Sequence, residues 1–224
     1  NLALGELPQD IAEPVIAAAK EVAANDRDAD FPLPVWQTGS GTQTNMNANE
    51  VISNRANQML GQELGSRKPV HPNDHVNRGQ SSNDSFPTVM HVAAAEAVTK
   101  RLVPGLEVLR AALAKRGEEW DGIVKLGRTH LMDAVPVTLG QEFRAWAMMV
   151  EAGIARVQAA LPDLLALPQG GTAAGTGLNT HPEFAKVFAE RMAALTGLGF
   201  TAHPNPFVGM GAHDAFVALQ GAMN

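Results

Sequence analysis

Apolar residues recur along most of the chain at the three- and four-residue spacing of amphipathic helices, and few segments alternate with the period of a strand. The first helical pattern begins near Asp10, which we expect to be its N-cap, and ends at about Asn25. A second runs from about Asn47 to Leu60, and Gly61 is well placed to terminate it. The pattern predicts a mainly α chain.

Two longer helical patterns follow. The pattern from Phe86 to about Glu119 is interrupted by Pro104, which predicts one long, kinked helix. Another long helix is predicted from about Thr138 to Leu161, and a further one begins where Thr180 and Glu183 have the spacing of a capping box. Long apolar helices joined by polar loops are typical of a helical bundle.

Four polar segments separate the predicted helices, at residues 36–50, 65–84, 127–136 and 168–182. Loops of compact domains are usually short, so four segments rich in hydroxyl and amide groups indicate one shared site. Neutral donors of this kind suit a small, multiply oxygenated anion. The first segment offers the side chains of Thr38, Ser40, Thr42, Gln43 and Asn45. The alternative is that such residues only cap helices.

The composition excludes several classes of protein. The net charge is −6 and the basic residues are scattered, unlike a nucleic-acid-binding surface. No stretch reaches the roughly 18 to 20 apolar residues of a membrane-spanning helix. The absence of Cys excludes thiol nucleophiles, disulfide scaffolds and Cys-ligated iron–sulfur clusters. Charged residues make up 18%, below the roughly 25% that is typical, which suggests surface covered in an assembly.

The glycines and most histidines do not complete a cofactor or metal motif. Gly170 and Gly175 have the spacing of a phosphate-binding loop, but Thr176 follows where Lys is needed. His71 and His75 have the spacing of a helical metal site, but the Pro-Asn pair between them predicts a turn. We therefore predict no nucleotide cofactor and no metal.

His130 is the histidine whose surroundings favour catalysis. It lies in a polar segment beside Arg128, Thr129 and Asp133, where an imidazole that titrates near neutral pH can act as a general base. His91, by contrast, falls within a helical pattern and is expected to be a packed or surface residue.

Five strings of the sequence resemble those of class II fumarases. They are WQTGSGTQTNMNANEV (36–51), HPNDHVN (71–77), QSSND (80–84), GRTH (127–130) and GGTAAGTGLNTHP (170–182). The match is collinear across nearly the whole chain. Within the fumarase/aspartase superfamily, GSGTQ, HPND and SSND are similar to the fumarase forms, whereas aspartases typically have GAGTS, NPND and STND.

The resemblance implies a mainly α fold and a three-domain subunit whose central helical bundle assembles into a homotetramer. Residues 1–78 would be the C-terminal part of the N-terminal domain and 79–224 a truncated central bundle, with the C-terminal domain absent. The implied activity is the metal-independent, reversible hydration of fumarate to L-malate in the tricarboxylic acid cycle, without a cofactor. The implied location is the cytoplasm, or the mitochondrial matrix of a eukaryote.

The resemblance also implies roles for individual residues, among which His130 matches the catalytic histidine. The positions that match substrate-carboxylate binders, contributed by different subunits, are Ser40, Thr42, Ser81, Ser82, Asn83 and Thr129. The positions that match a second dicarboxylate site are Lys68, His71, Asn73 and Asp74. A family member has Arg at the position of Lys68, so a cation is retained there without the bidentate geometry of a guanidinium.

The family's mobile loop, with its catalytic Ser and a downstream Lys and Asn, is expected to follow Asn224, so residues 1–224 alone are expected to be inactive. Two alternatives remain open. One is a superfamily lyase that releases ammonia or an amine, which the GSGTQ and HPND forms disfavour. The other is a non-catalytic protein of the same fold, as in lens crystallins, which intact Ser81, Asn83 and His130 disfavour.

Overall fold

A computed structural model describes residues 1–34, 37 and 39–224. Trp36 and Thr38, which the sequence analysis placed in the first polar segment, lie outside the described residues. The helices are α1 (Gln9–Ala23), α2 (Thr42–Met59), α3 (Ser82–Ala97), α4 (Val103–Glu119), α5 (Leu139–Leu164), α6 (Phe184–Thr196), α7 (Pro206–Gly211) and α8 (Asp214–Met223). The predicted mainly α class is confirmed.

The strands are short and form two small sheets. Strands β1 (Val124–Thr129) and β2 (Met132–Thr138) pair antiparallel, and β3 (Ala166–Leu167) pairs parallel with β4 (Thr201–Ala202). Among the described residues, none of the helices combines the length and apolar character that a bilayer crossing requires.

The chain divides into two compact units. Unit 1 comprises Asn1–His91 and Leu165–Ala212, and unit 2 comprises Val92–Leu164 and His213–Asn224. Each unit therefore combines segments that are distant in the sequence. The boundary predicted between residues 78 and 79 concerns the domains of the complete protein, and it stays a prediction.

In unit 1, α1 packs against α2 around a small apolar core. The segment after α2 is attached to it by a buried polar contact, because the Asn57 side chain donates to the carbonyl of Val70 over 2.8 Å and accepts its N–H over 2.9 Å. Both residues are fully buried, and buried polar groups require such partners. This contact positions the turn that begins at His71.

In unit 2, α5 packs against both α4 and α8. The backbones of α4 and α5 approach closely at Gly117 and Gly140, where a Cβ on Gly140 would collide with the carbonyl of Gly117. Trp120 and Phe143 then meet edge to face, with ring centroids 4.8 Å apart. Glycine at the crossing is therefore required by the close approach of the two helices.

Several predicted helix boundaries were wrong. Helix α1 begins at Gln9 with Pro8 as its N-cap, so Asp10 lies in the first turn and is not the cap. Helix α2 begins at Thr42, earlier than the predicted start at Asn47. Gly41 makes this start possible: its φ of 69° is left-handed, and a Cβ there would collide with the ring of Phe86. Part of the first polar segment is thus helical.

The long helix predicted at 86–119 is helical over its whole length, and its irregular part lies just before Pro104, as the proline predicted. Helix α3 is followed by a π-helical segment, Val98–Leu102, and then by α4, with Pro104 in its first turn. Proline is tolerated in the first turn of a helix because the N–H that it lacks has no helical partner there. The predicted capping box is wrong, because the His181 ring accepts the Glu183 N–H over 3.1 Å and α6 begins at Phe184.

The segment predicted as a polar loop at 127–136 belongs instead to the β1–β2 hairpin. Thr129 pairs with Met132, and the two residues between them turn the chain with φ values of 49° (His130) and 62° (Leu131). Two successive left-handed residues suit the two-residue turns whose twist matches that of paired strands. The prediction failed because neither residue is one of the glycines or asparagines that usually mark such turns.

Candidate active site

The first and second polar segments meet in unit 1. The hydroxyl oxygens of Thr42 and Ser82 lie 3.0 Å apart, and that of Ser40 lies 3.2 Å from that of Thr42. Thr42 and Ser82 are the first residues of α2 and α3, so two helix N-termini converge on these hydroxyls. Helix N-termini present unpaired N–H groups and favour anions.

The second segment also meets the fourth. Ser81 Oγ accepts the N–H of Asn83 over 3.2 Å, and the side-chain amide of Asn83 donates to the carbonyl of Ala173 over 2.7 Å. Five of the six predicted substrate-binding residues therefore belong to one contiguous cluster in unit 1: Ser40, Thr42, Ser81, Ser82 and Asn83.

Asp84 is the residue of this cluster that sequence reasoning missed. Its carboxylate is fully buried and accepts the N–H groups of Ser81 (2.8 Å), Gly170 (3.0 Å) and Thr172 (2.9 Å). Burial raises the pKa of the Asp84 carboxyl, and these hydrogen bonds partly oppose that rise. The available signal was the SSND string, in which Asp84 follows Ser81 at the spacing of a helix-start contact.

A cavity of about 680 Å³ opens beside the cluster in unit 1. Its lining includes Ser81 from the predicted substrate site together with Asn73 and Asp74 from the predicted second site. Arg78 also lines the cavity and forms an ion pair of 2.8 Å with Glu6, which lowers the pKa of the Glu6 carboxyl. Two sets of residues that sequence analysis treated as separate sites therefore face one cavity.

In the turn predicted as a second dicarboxylate site, two histidine rings accept hydrogen bonds from backbone N–H groups of the turn itself. The ring Nδ1 of His71 accepts the N–H groups of Asn73 (3.3 Å) and Asp74 (3.2 Å), and the ring of His75 accepts the N–H of His71 over 2.8 Å. The imidazole of His71 thus caps the short π-helical segment Pro72–Val76, and that of His75, within the segment, binds the N–H of the cap residue. No group of metal-binding side chains is found in the part of the chain that the structure describes.

Lys68 is exposed and precedes this turn. The guanidinium of its neighbour Arg67 forms an ion pair with Glu50 at 2.8 Å. Whether a lysine at position 68 serves as the arginine of a family member does stays a prediction.

Thr129 and His130 lie in unit 2, at the exposed end of the β1–β2 hairpin. Arg128 and Asp133, which sequence analysis placed around the histidine, bond to each other across the hairpin over 3.2 Å. The structure thus presents His130 on a two-residue turn, in a different unit from the other predicted site residues.

Comparison with known proteins places the chain in a family. A model of the lyase family matches residues 2–224, and the chain belongs to this family.

The more specific likeness is to class II fumarate hydratases. The chain is 60% identical to that of Caulobacter vibrioides and 58% identical to that of Methylorubrum extorquens, covering 48% and 47% of those proteins and 100% of this chain in both cases. It is 58% identical to the mitochondrial fumarate hydratase of Mus musculus, over 96% of this chain and 42% of that protein. The chain spans about half the length of the curated relatives it matches.

Solved structures show the same likeness. A class II fumarase from Schistosoma mansoni matches 99% of this chain and 50% of its own, with a TM-score of 0.92 and 38% identity. A fumarate lyase:delta crystallin from Brucella melitensis, bound to cobalt, matches 99% of this chain and 48% of its own, with a TM-score of 0.91 and 36% identity. The predicted fumarase/aspartase fold is confirmed.

Proposed function

We propose that the complete protein catalyses the reversible hydration of fumarate to L-malate, a reaction of the tricarboxylic acid cycle. The observation that carries the proposal is the hydroxyl and amide cluster around Thr42, Ser81, Ser82 and Asn83, in a chain 60% identical to a class II fumarate hydratase. A substrate with two carboxylates requires many hydrogen-bond donors in a small volume, and this cluster offers them.

The chemistry of the reaction explains why neutral donors are suitable. Removing a proton from the carbon beside a carboxylate of malate places extra negative charge on that carboxylate. Donors fixed in advance bind the resulting dianionic form more strongly than the ground state, and this difference accelerates the reaction. The net charge of −6 gives the chain no overall attraction for a dianion, so local groups must provide the binding.

His130 serves the oxygen side of the reaction. In hydration its imidazole takes a proton from water as the oxygen attacks one alkene carbon, and in dehydration it returns that proton to the departing hydroxyl. Thr129 beside it contributes a donor to the substrate. The proton on the other carbon is handled by a group outside these residues, for which the family resemblance suggests the Ser of the mobile loop.

The proposed site is metal-independent and is completed in a homotetramer. The family resemblance implies that several subunits contribute residues to this site. Large apolar side chains are exposed on the helices of unit 2, namely Val108, Leu109, Trp146, Met148, Met149 and Val217. Exposed apolar surface of this kind favours association. The proposed location is the cytoplasm, or the mitochondrial matrix if the source is a eukaryote.

The test is a direct assay of the complete gene product. Fumarate absorbs ultraviolet light, so its formation from malate and from aspartate can be followed in parallel, with and without a chelator. We expect turnover of malate alone, unaffected by the chelator, from a particle with the mass of a tetramer. Turnover of aspartate would assign an ammonia-releasing lyase, and no turnover of either substrate would favour a non-catalytic protein.

A further inference from the structure

Asp84 is a buried acid to which the proposed reaction gives no direct part. Its side chain has no exposed surface, and three backbone N–H groups converge on its carboxylate. One oxygen accepts from Ser81, and the other accepts from Gly170 and Thr172. Burying a carboxylate is unfavourable unless hydrogen bonds replace those lost to water. The three N–H groups are therefore what allows the Asp84 carboxylate to be buried.

The bonds of Asp84 connect two segments that are far apart in the sequence. One is the start of α3, and the other is the turn at residues 170–173. Within that turn, Gly170 has a φ of 100° and Thr172 a φ of 57°. A β-branched residue such as Thr rarely adopts a left-handed conformation, which persists only where surrounding contacts impose it. The two bonds to Asp84 Oδ2 are such contacts.

The same two segments carry candidate substrate-binding groups. Ser81 and Thr172 both line the cavity of about 680 Å³. Asn83 donates to the carbonyl of Ala173, the residue directly after Thr172. The placement of Ser81 and Asn83 thus depends on Asp84 in two ways: through the N–H of Ser81 itself, and through the turn to which Asn83 is bound.

We propose that Asp84 is a positioning residue of the dicarboxylate site. Its carboxylate holds the 170–173 turn against the start of α3 and thereby sets the geometry in which Ser81 and Asn83 meet the substrate. The identity of the substrate rests on the proposed function, whereas the structural link made by Asp84 does not. Because misplacing a binding group by about 1 Å can cost on the order of 10²-fold in rate, such a link has a measurable kinetic effect.

The first test variant is Asp84→Asn in the complete protein. The amide is nearly isosteric with the carboxylate, but its NH₂ group must face a backbone N–H where an oxygen is needed. We expect kcat/KM for malate to fall by about 10- to 100-fold, mainly through kcat, since Ser81 and Asn83 are proposed to bind the dianionic form more strongly than the ground state. We also expect the amides of Gly170 and Thr172 to exchange with deuterium at least about tenfold faster than in the wild type.

The matched control is Glu21→Gln, the same change of carboxylate to amide within unit 1. Glu21 bonds to Arg27 and Arg55 and is not among the residues lining the cavity, as far as the structure describes it. This variant is expected to lose stability with unchanged kcat/KM. A similar kinetic loss in both variants would mean that general loosening of unit 1, and not Asp84, is responsible.

Asp84→Glu, which keeps the carboxylate, is measured beside Asp84→Asn. The inference is overturned if Asp84→Asn assembles and retains kcat/KM within about threefold of the wild type, or if exchange at Gly170 and Thr172 is unchanged in that variant. Failure of both variants to assemble also overturns it, since Asp84 is then a folding residue. A wild-type protein without malate turnover rejects the proposed function instead, and the exchange measurement still decides whether Asp84 holds the turn.

Discussion

The hydroxyl oxygens of Thr42 and Ser82 lie 3.0 Å apart although 40 positions separate the residues in the chain. Each residue opens a helix, so the contact joins the N-terminal turns of α2 and α3. The first N–H groups of each helix have no helical partners, and together with the two hydroxyls they are possible hydrogen-bond donors to a carboxylate.

Thr42→Val is therefore expected to lower kcat/KM of the complete protein by roughly 10- to 100-fold, because a hydrogen bond to a charged group contributes about 1.5–3 kcal/mol. Steady-state kinetics with malate provide the measurement. Thr44→Val is the control, since Thr44 is exposed on the same helix two positions further on. Equal effects of the two substitutions would contradict a binding role for the Thr42 hydroxyl.

His130→Asn is expected to lower kcat by about 10²- to 10⁴-fold with little change in substrate affinity, the usual effect of removing a general acid or base. Because His130 is exposed on the hairpin turn, the substitution is expected to leave the fold intact. His213→Asn, at another histidine of unit 2, is the control. A His130→Asn variant with a tenth or more of the wild-type kcat would show that this imidazole is structural.

His71→Asn is expected to leave kcat within a few-fold of the wild type and to remove a bound dicarboxylate from the turn at Asn73 and Asp74. The ring of His71 caps this turn, and Asn is itself a favoured N-cap residue, so the substitution keeps the cap while removing the imidazole. Kinetics and a crystal soaked with malate make the two measurements. Loss of turnover as large as that of His130→Asn would instead place His71 in the active site.

The stability of unit 1 is expected to depend on Glu21 in acid. Hydrogen bonds from Arg55 and then Arg27 lower the pKa of Glu21 from 4.5 to about 2. A pKa depressed by folding contributes stability that is fully present above the unfolded value of 4.5 and is lost as the pH falls towards 2.

Glu21→Gln should consequently flatten the fall in melting temperature between these two pH values, whereas Glu63→Gln, at an exposed glutamate, should not. Thermal unfolding of the complete protein across the acid range checks this. An unchanged slope in Glu21→Gln would mean that the two arginines do not stabilise the charged carboxylate.

Residues 1–224 alone are expected to assemble without catalysing hydration. The exposed apolar residues of unit 2, such as Met148 and Val217, favour association, while the groups that the resemblance assigns to the mobile loop are missing from this segment. Groups that act as a unit lose most of their effect when one is removed. Malate formation by the purified segment, measured against a buffer control, should equal the background, and clear turnover would show that the carbon base lies within these residues.

Local patterns were sufficient for most of the helices. The helix predicted at 138–161 is α5, Leu139–Leu164, because the spacing of its apolar residues is itself a property of one helical segment. The interruption near Pro104 was equally predictable, since proline acts on the turn that contains it. Strings that resemble the family, such as QSSND and GRTH, could also be recognised from the sequence alone, because each is contiguous.

Contacts between distant segments were decided by the tertiary structure. The hairpin around His130 needed the pairing of two strands with few local signals, and its turn residues take left-handed conformations that their identities do not predict. Asp84 looked like an ordinary helix-start residue until the N–H groups of Gly170 and Thr172, 86 and 88 positions away, were found on its carboxylate. Residue patterns report the preferences of a chain for its neighbours in sequence, whereas a binding site is made by groups that only folding brings together.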